Sequence, residues 1–244
     1  MMTQGVLYIA TGKKYAQAAV LSAKTVRMHC PGLDIHLYTD SQCYDDFGFE
    51  ESVHPFTSVG KIENPHRRSK VEYMSLTPYD WTLYLDTDTA LNADISDMFR
   101  VLARFDIALA HAQHRNSPNS LTPWRLKLPD AFPQYNSGVI LYRKNAMVIQ
   151  FLEQWAKSYQ EAGLRHDQPT LRELLWLSDL RIATLPPEYN VRFLKYHFLW
   201  SKSEAVTKIF HLKQLHRGWL EWIFRDPIRI VRTIFKEGKR QSKV

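Results

Sequence analysis

"TLYLDTDTAL", residues 82–91, runs four mostly apolar residues straight into two aspartates separated by one threonine. Such a short run suits a buried strand, with Asp86 and Asp88 at its end. Ionised carboxylates lose hydration on burial, so this pair needs a positive partner. Carboxylate oxygens are hard ligands for Mg2+ or Mn2+, ions that bridge protein carboxylates to substrate phosphates. The same composition also suits a turn with helix-capping aspartates. At this point both readings stand.

Working outward, strands and helices alternate. The segments 5–11, 33–40, 53–59, 81–86, 106–112, 138–143, 180–185 and 207–212 read as strands. Helical periodicity covers 15–29, 68–77, 95–105, 145–162 and 168–177. This order predicts an α/β sandwich with a mostly parallel central sheet. In such a sheet ligands collect beyond the carboxyl ends of the strands, which is where Asp86 and Asp88 fall. The stretch 113–134 is long, polar and proline-punctuated, the mark of a functional or mobile loop.

The chain has 244 residues, 45% hydrophobic and 23% charged, the balance of a globular protein with a sizeable core. It contains no run of eighteen apolar residues, and the apolar stretch in "MMTQGVLYIATGKK" is too short for a signal peptide. Cys30 and Cys43 are the only cysteines, which excludes a disulfide framework and a zinc-finger spacing and makes a reducing, cytoplasmic setting the default. Net charge is +7, and residues 217–244 hold eight Lys or Arg against three Asp or Glu. That excess suits phosphate-rich partners. No recognisable nucleic-acid motif accompanies it.

Haloacid dehalogenase-type phosphatases also place D-x-D after a strand, but in the form D-x-D-x-T. Here Ala90 holds the last position, and the motif lies a third of the way along the chain. Farther on, His211 ends the strand segment "TKIFHL" and offers an imidazole that can complete an Asp–Asp–His site for Mn2+. Arg217 follows six residues later, a residue type suited to diphosphate. "YNSGVILY" sets Asn136, Ser137 and Gly138 just before a strand, where a simple turn explains them equally well. In "RHDQPTL", Asp167 and Gln168 open a helix, and an N-cap role explains Asp167.

Taken in order, these segments resemble a GT-A glycosyltransferase of the family 8 type, the group of glycogenin and the bacterial lipooligosaccharide galactosyltransferases. The resemblance covers roughly residues 5–220. It implies a Rossmann-like nucleotide-diphospho-sugar transferase domain over residues 1–218, with 219–244 a separate basic, aromatic tail. Thr11 and Tyr15 resemble the nucleotide base and ribose site, and Lys70 the phosphate- or sugar-contacting lysine. Asp86, Asp88 and His211 resemble the Mn2+ ligands, with Mg2+ as the other candidate ion. The resemblance puts Thr87 and Arg217 against the donor, and Asn136, Asp167 and Gln168 against the transferred sugar. It implies a retaining hexosyltransferase with a UDP-sugar donor and a cell-surface glycan or lipid-linked acceptor. Whether Asp167 attacks the anomeric carbon or supports an oxocarbenium ion in front-face transfer stays open. Three departures stand out: Pro169 where a small residue is usual, Arg217 where lysine is common, and Gly12 and Lys13 in the base-binding loop.

The tail mixes Trp219, Trp222, Ile223 and Phe224 with Arg225, Arg229 and Arg232. It reads either as a helix packed on the body or as an interfacial segment docking on anionic lipid at the cytoplasmic membrane face. Pro227 divides it into two short segments. The alternative to an enzyme is a catalytically weak nucleotide-binding or scaffold protein of the same fold. Retention of Asp86, Asp88, His211 and Asp167 argues against that.

Overall fold

The computed structural model describes residues 2–40, 54–114 and 122–217. Nine strands fall there: β1 (Gln4–Ala10), β2 (Asp34–Thr39), β3 (Ser58–Lys61), β4 (Trp81–Leu85), β5 (Thr89–Leu91), β6 (Ile107–His111), β7 (Tyr135–Arg143), β8 (Ile182–Leu185) and β9 (Ile209–His211). The α-helices are α1 (Lys13–His29), α2 (Ser69–Met74), α3 (Ala146–Ala162), α4 (Gln168–Leu177) and α5 (Leu194–Leu199). Short 3-10 turns occupy Ser96–Ala103, Pro187–Tyr189 and Lys213–Arg217.

Seven strands form one sheet in the order β3-β2-β1-β4-β7-β6-β8, and β5 pairs with β9 in a small second sheet. Every strand of the main sheet runs in one direction except β7, which is antiparallel to β4 and β6. The mostly parallel sheet expected from the alternating pattern is therefore present. Its central strands are buried on both sides because alternate residues feed two cores. In β1, Val6, Tyr8 and Ala10 join the cluster under α1, while Leu7 and Ile9 join the cluster under α2, α3 and α4.

Strand order reverses between β1 and β4: the chain moves outward from β1 through β2 to β3, then returns to place β4 on the other side of β1. This is the switch point at which open α/β sheets leave a crevice for ligands. Thr11 follows β1, and Asp86 follows β4, at that crevice.

Several boundaries differ from the sequence expectation. The strand expected over 53–59 is β3, at Ser58–Lys61, and residues 54–56 before it carry no regular secondary structure. The helix expected over 95–105 is a 3-10 turn packed through Met98, Phe99 and Leu102. β7 begins at Tyr135, so Asn136, Ser137 and Gly138 lie inside a strand and not in a turn before it. The strand is nevertheless irregular there. Leu109 pairs with Ile140 but His111 with Tyr135, leaving residues 136–139 opposite the single residue Ala110. The turn-forming composition is expressed as a bulge, a device that re-aims side chains beside sites. β5 and α5 have no counterpart in the expected pattern. The tail over 219–244 lies outside the described residues.

Candidate active site

Asp86 leaves the carboxyl end of β4, and its backbone N–H donates to the Gly138 carbonyl at 2.8 Å. The antiparallel run of β7 explains this meeting, since only a reversed strand brings its first residues to that edge of the sheet. The chain turns after Asp86: Thr89 donates both its N–H (3.2 Å) and its hydroxyl (2.7 Å) to the Asp86 carbonyl. It then continues into β5, which pairs Thr89 with His211 of β9. The small sheet therefore carries a residue 125 positions away to the two aspartates. His211 Nε2 lies 3.0 Å from Asp88 Oδ1 and 3.5 Å from Asp86 Oδ2.

One ligand atom from each of Asp86, Asp88 and His211 lies within 4.8 Å of the others. Two carboxylates and an imidazole form a mixed oxygen and nitrogen donor set suited to a divalent ion. His211 is fully enclosed, and its Nδ1 stands 2.8 Å from the Asn190 side-chain oxygen, which leaves Nε2 aimed at the carboxylates. The residues fit a divalent cation. Gly138 completes the cradle, because a Cβ at that position would collide with the His211 ring and the Asp86 carboxylate.

Lys70, on α2, reaches the other side of Asp86. Its ammonium contacts Asp86 Oδ1 at 2.9 Å, Asp167 Oδ2 at 3.3 Å and the Ser137 hydroxyl at 3.1 Å. Ser137 in turn donates to Asp167 Oδ1 at 2.9 Å. Tyr84, buried beneath, donates its hydroxyl to Asp86 Oδ1 at 2.8 Å. These contacts set the electrostatics. Burial opposes the charged form of Lys70, yet Asp167 and Asp86 more than offset it and hold the ammonium above its ordinary pKa. Burial likewise pushes the Asp86 carboxyl up, but Lys70 and His211 hold it well below the usual carboxylate range. In Asp88 the same burial is outweighed by His211. Burial and the Asp86 charge drive the Tyr84 hydroxyl far above its ordinary value.

Asp167 sits at the N-terminus of α4, where an N-cap role was the ordinary explanation. Its side chain makes no cap bond. The carboxylate turns instead to Lys70 and Ser137, and the backbone holds the position. The Asp167 carbonyl accepts from the Trp155 indole at 3.2 Å and the Thr170 hydroxyl at 2.8 Å. Gln168 begins the helix beside it, half-buried. Asn136 is buried and accepts from the Gly138 N–H at 3.0 Å, which fixes the bulge.

The remaining candidates lie around the β1 end of the crevice. Gly12 begins α1 with φ +84° and donates its N–H to Asp40 at 3.1 Å, so a left-handed residue turns the chain after Thr11. Tyr15 is exposed, and its ring meets the edge of His216 with centroids 5.1 Å apart. His216 also reaches the Thr87 hydroxyl at 3.1 Å, joining the turn Lys213–Arg217 to the aspartate segment. The side chain of Arg217 lies outside the described residues. Thus the fold brings Asp86, Asp88, His211, Lys70, Asp167 and Asn136 to one place, with Thr87 and Tyr15 linked through His216.

Four contributors escaped sequence reasoning: Tyr84, Ser137 as a bridge, Asn190 and His216. Ser137 and Tyr84 stood within segments already singled out. Asn190 carried no local signal, lying after the Pro186–Pro187 pair and far in sequence from its partner.

A family model described as nucleotide-diphospho-sugar transferase matches residues 81–217, more than half of the chain. No curated protein matches it in sequence. Among solved structures, the glycosyltransferase GlyE of Streptococcus pneumoniae TIGR4 is similar with a TM-score of 0.64 at 15% identity. That match covers 98% of this chain and 64% of GlyE, so the chain spans less than two thirds of that relative. Galactosyltransferase LgtC, solved in complex with donor and acceptor sugar analogs, is similar with a TM-score of 0.60 at 13% identity, covering 95% of each chain. At these identities the likeness is one of fold.

Proposed function

The chain belongs to the nucleotide-diphospho-sugar transferase family and has a GT-A fold of the family 8 type, and from that premise we propose that it moves a hexose from a UDP-sugar to a glycan or lipid-linked acceptor, with retention of configuration and with Mn2+ as its ion. The observation that carries this reading is the convergence of Asp86, Asp88 and His211, with ligand atoms within 4.8 Å of one another, beside Asp167.

The chemistry follows from where charge develops. Breaking the bond between sugar and diphosphate builds negative charge on the departing nucleotide, and a divalent ion held by Asp86, Asp88 and His211 would supply Lewis-acid stabilisation of that charge. In this reading Thr11, Tyr15 and Thr87 would frame the nucleotide at the switch point, and Arg217 would be the residue for the diphosphate. Asn136, Asp167 and Gln168 orient the sugar. Lys70 ties the two halves together: its ammonium bridges the carboxylate on the metal side and the carboxylate on the sugar side. It therefore fixes both before substrate arrives, which is the preorganisation that electrostatic catalysis requires. Access to a lipid-linked acceptor gives the basic, aromatic tail a role as a peripheral contact with anionic membrane at the cytoplasmic face.

A screen for UDP release across nucleotide sugars, with Mn2+ and with chelator, tests the proposal. Release with at least one UDP-hexose, lost on chelation, is the expected result. Asp88→Asn should remove the metal-dependent turnover while the melting temperature stays close to wild type. Turnover at the wild-type rate in that variant would overturn the metal assignment. UDP binding without release from any donor would favour a scaffold instead.

A further inference from the structure

We infer that Asn190 is a positioning residue for His211: its side-chain oxygen holds the proton of the imidazole on Nδ1 and so presents the Nε2 lone pair to a metal between Asp86 and Asp88. The inference rests on reading those three residues as a metal site.

A neutral imidazole has one lone pair for a ligand, and ligation through Nε2 requires the proton on Nδ1. Nε2 is the nitrogen that faces Asp88 and Asp86, at 3.0 and 3.5 Å. Nδ1 faces the Asn190 side-chain oxygen at 2.8 Å, and an amide oxygen only accepts. Metal-ligating histidines characteristically donate their other N–H to such an acceptor, which fixes both tautomer and ring orientation. Here the acceptor is a neutral amide. It sets the tautomer without adding a third negative charge to an enclosed pair of carboxylates.

Asn190 is held rigidly enough to do this. Its N–H donates to the Pro187 carbonyl at 3.1 Å, and its own carbonyl accepts from the Gln113 side chain at 3.0 Å. Gln113 is braced in turn by the Arg192 N–H at 2.9 Å. The next residue, Val191, bridges Phe210 and accepts from the His211 N–H at 2.9 Å, so donor and acceptor side chains share one backbone frame. The side chain is fully buried, yet among the described residues its amide nitrogen has no hydrogen-bond partner. An orphaned buried donor is a cost to folding, and an apolar residue of similar shape would avoid it. Packing therefore gives no reason for an amide here, whereas the oxygen on His211 does.

The test is Mn2+ binding to the full chain without nucleotide sugar, together with 15N spectra of the His211 side chain in protein loaded with diamagnetic Zn2+, assigned against His211→Gln. Wild type should carry the proton on Nδ1. Asn190→Leu should lose that preference and bind Mn2+ about 10- to 100-fold more weakly. Asn190→Asp, which keeps the acceptor, should retain the tautomer and stay within about 3-fold of wild type. Wild-type Mn2+ affinity in the leucine variant, equal weakening in both variants, or a proton on Nε2 in the wild type would each overturn the inference. Wild type that binds no Mn2+ would overturn the metal reading and this inference with it, whereas the outcomes just named overturn the inference alone. Should the leucine variant fail to fold, Asn190→Ala takes its place under the same criteria.

Discussion

Ser137 has one hydroxyl and two neighbours of opposite charge. It accepts from Lys70 at 3.1 Å and donates to Asp167 at 2.9 Å, while Lys70 takes the other Asp167 oxygen at 3.3 Å. Both oxygens of that carboxylate are thus engaged, and its plane is set before a sugar arrives. Hydrogen bonds to charged groups contribute about 1.5–3 kcal/mol. If the bond to Asp167 acts in the transition state, Ser137→Ala should lower kcat about 10- to 100-fold. The donor KM should stay within about 3-fold, because the metal-side residues are untouched. Steady-state kinetics on the donor found in the release screen checks this, and an unchanged kcat would show that Lys70 alone positions Asp167. Residues of this kind are only half legible in a chain of letters. Asp167 stood out by type and context, but its competing N-cap role could be dismissed only by seeing the carboxylate point elsewhere.

Among the elements, β6, β7 and β8 are joined at their far end by Asp106. Its carboxylate accepts from the Arg181 N–H at 2.9 Å, from the Arg181 guanidinium, from Arg143 and from Asn145. Asp106 is buried, and burial raises its pKa, but the Arg181 amide and side chain pull the carboxyl below the usual range. Protons therefore bind the unfolded chain first as pH falls. The stabilisation is complete above the unfolded carboxylate pKa of about 3.9 and is lost as pH drops below it towards the folded value. Asp106→Asn should cost about 2–3 kcal/mol at pH 7, less than a fully buried pair because Arg181 is more than half exposed. It should also flatten the decline in melting temperature between about pH 5 and pH 3, and thermal scans across that range measure both effects. The reversed β7 is the other element-scale lesson. Periodicity marked it as a strand but carried no direction, and direction is what brings Ser137 and Gly138 to Asp86. The N-S-G composition correctly signalled a local break, realised as a bulge because strand pairing continues on both sides of it.

At the scale of the whole molecule, charge is uneven: residues 217–244 carry eight basic against three acidic side chains among several aromatics. No helix among the described residues is long and apolar enough to cross a membrane. A surface contact through the tail predicts that truncation after Gly218 leaves donor turnover intact but weakens pelleting with vesicles rich in anionic lipid. Salt should weaken the wild-type contact in the same assay. Pelleting unchanged by truncation would assign the tail to packing on the body. The sequence by itself determined the alternation of strands and helices, the mostly parallel sheet that follows from it and the chemical types of the site residues. These are properties of local periodicity and of side chains. Tertiary structure decided the rest: the strand order with its switch point, the reversal and bulge of β7, and the β5 and β9 pairing that carries His211 to Asp88. It also decided the pairing of His211 with Asn190. The physical reason is that each such contact joins segments distant in the chain, and its energy depends on geometry that no single segment contains.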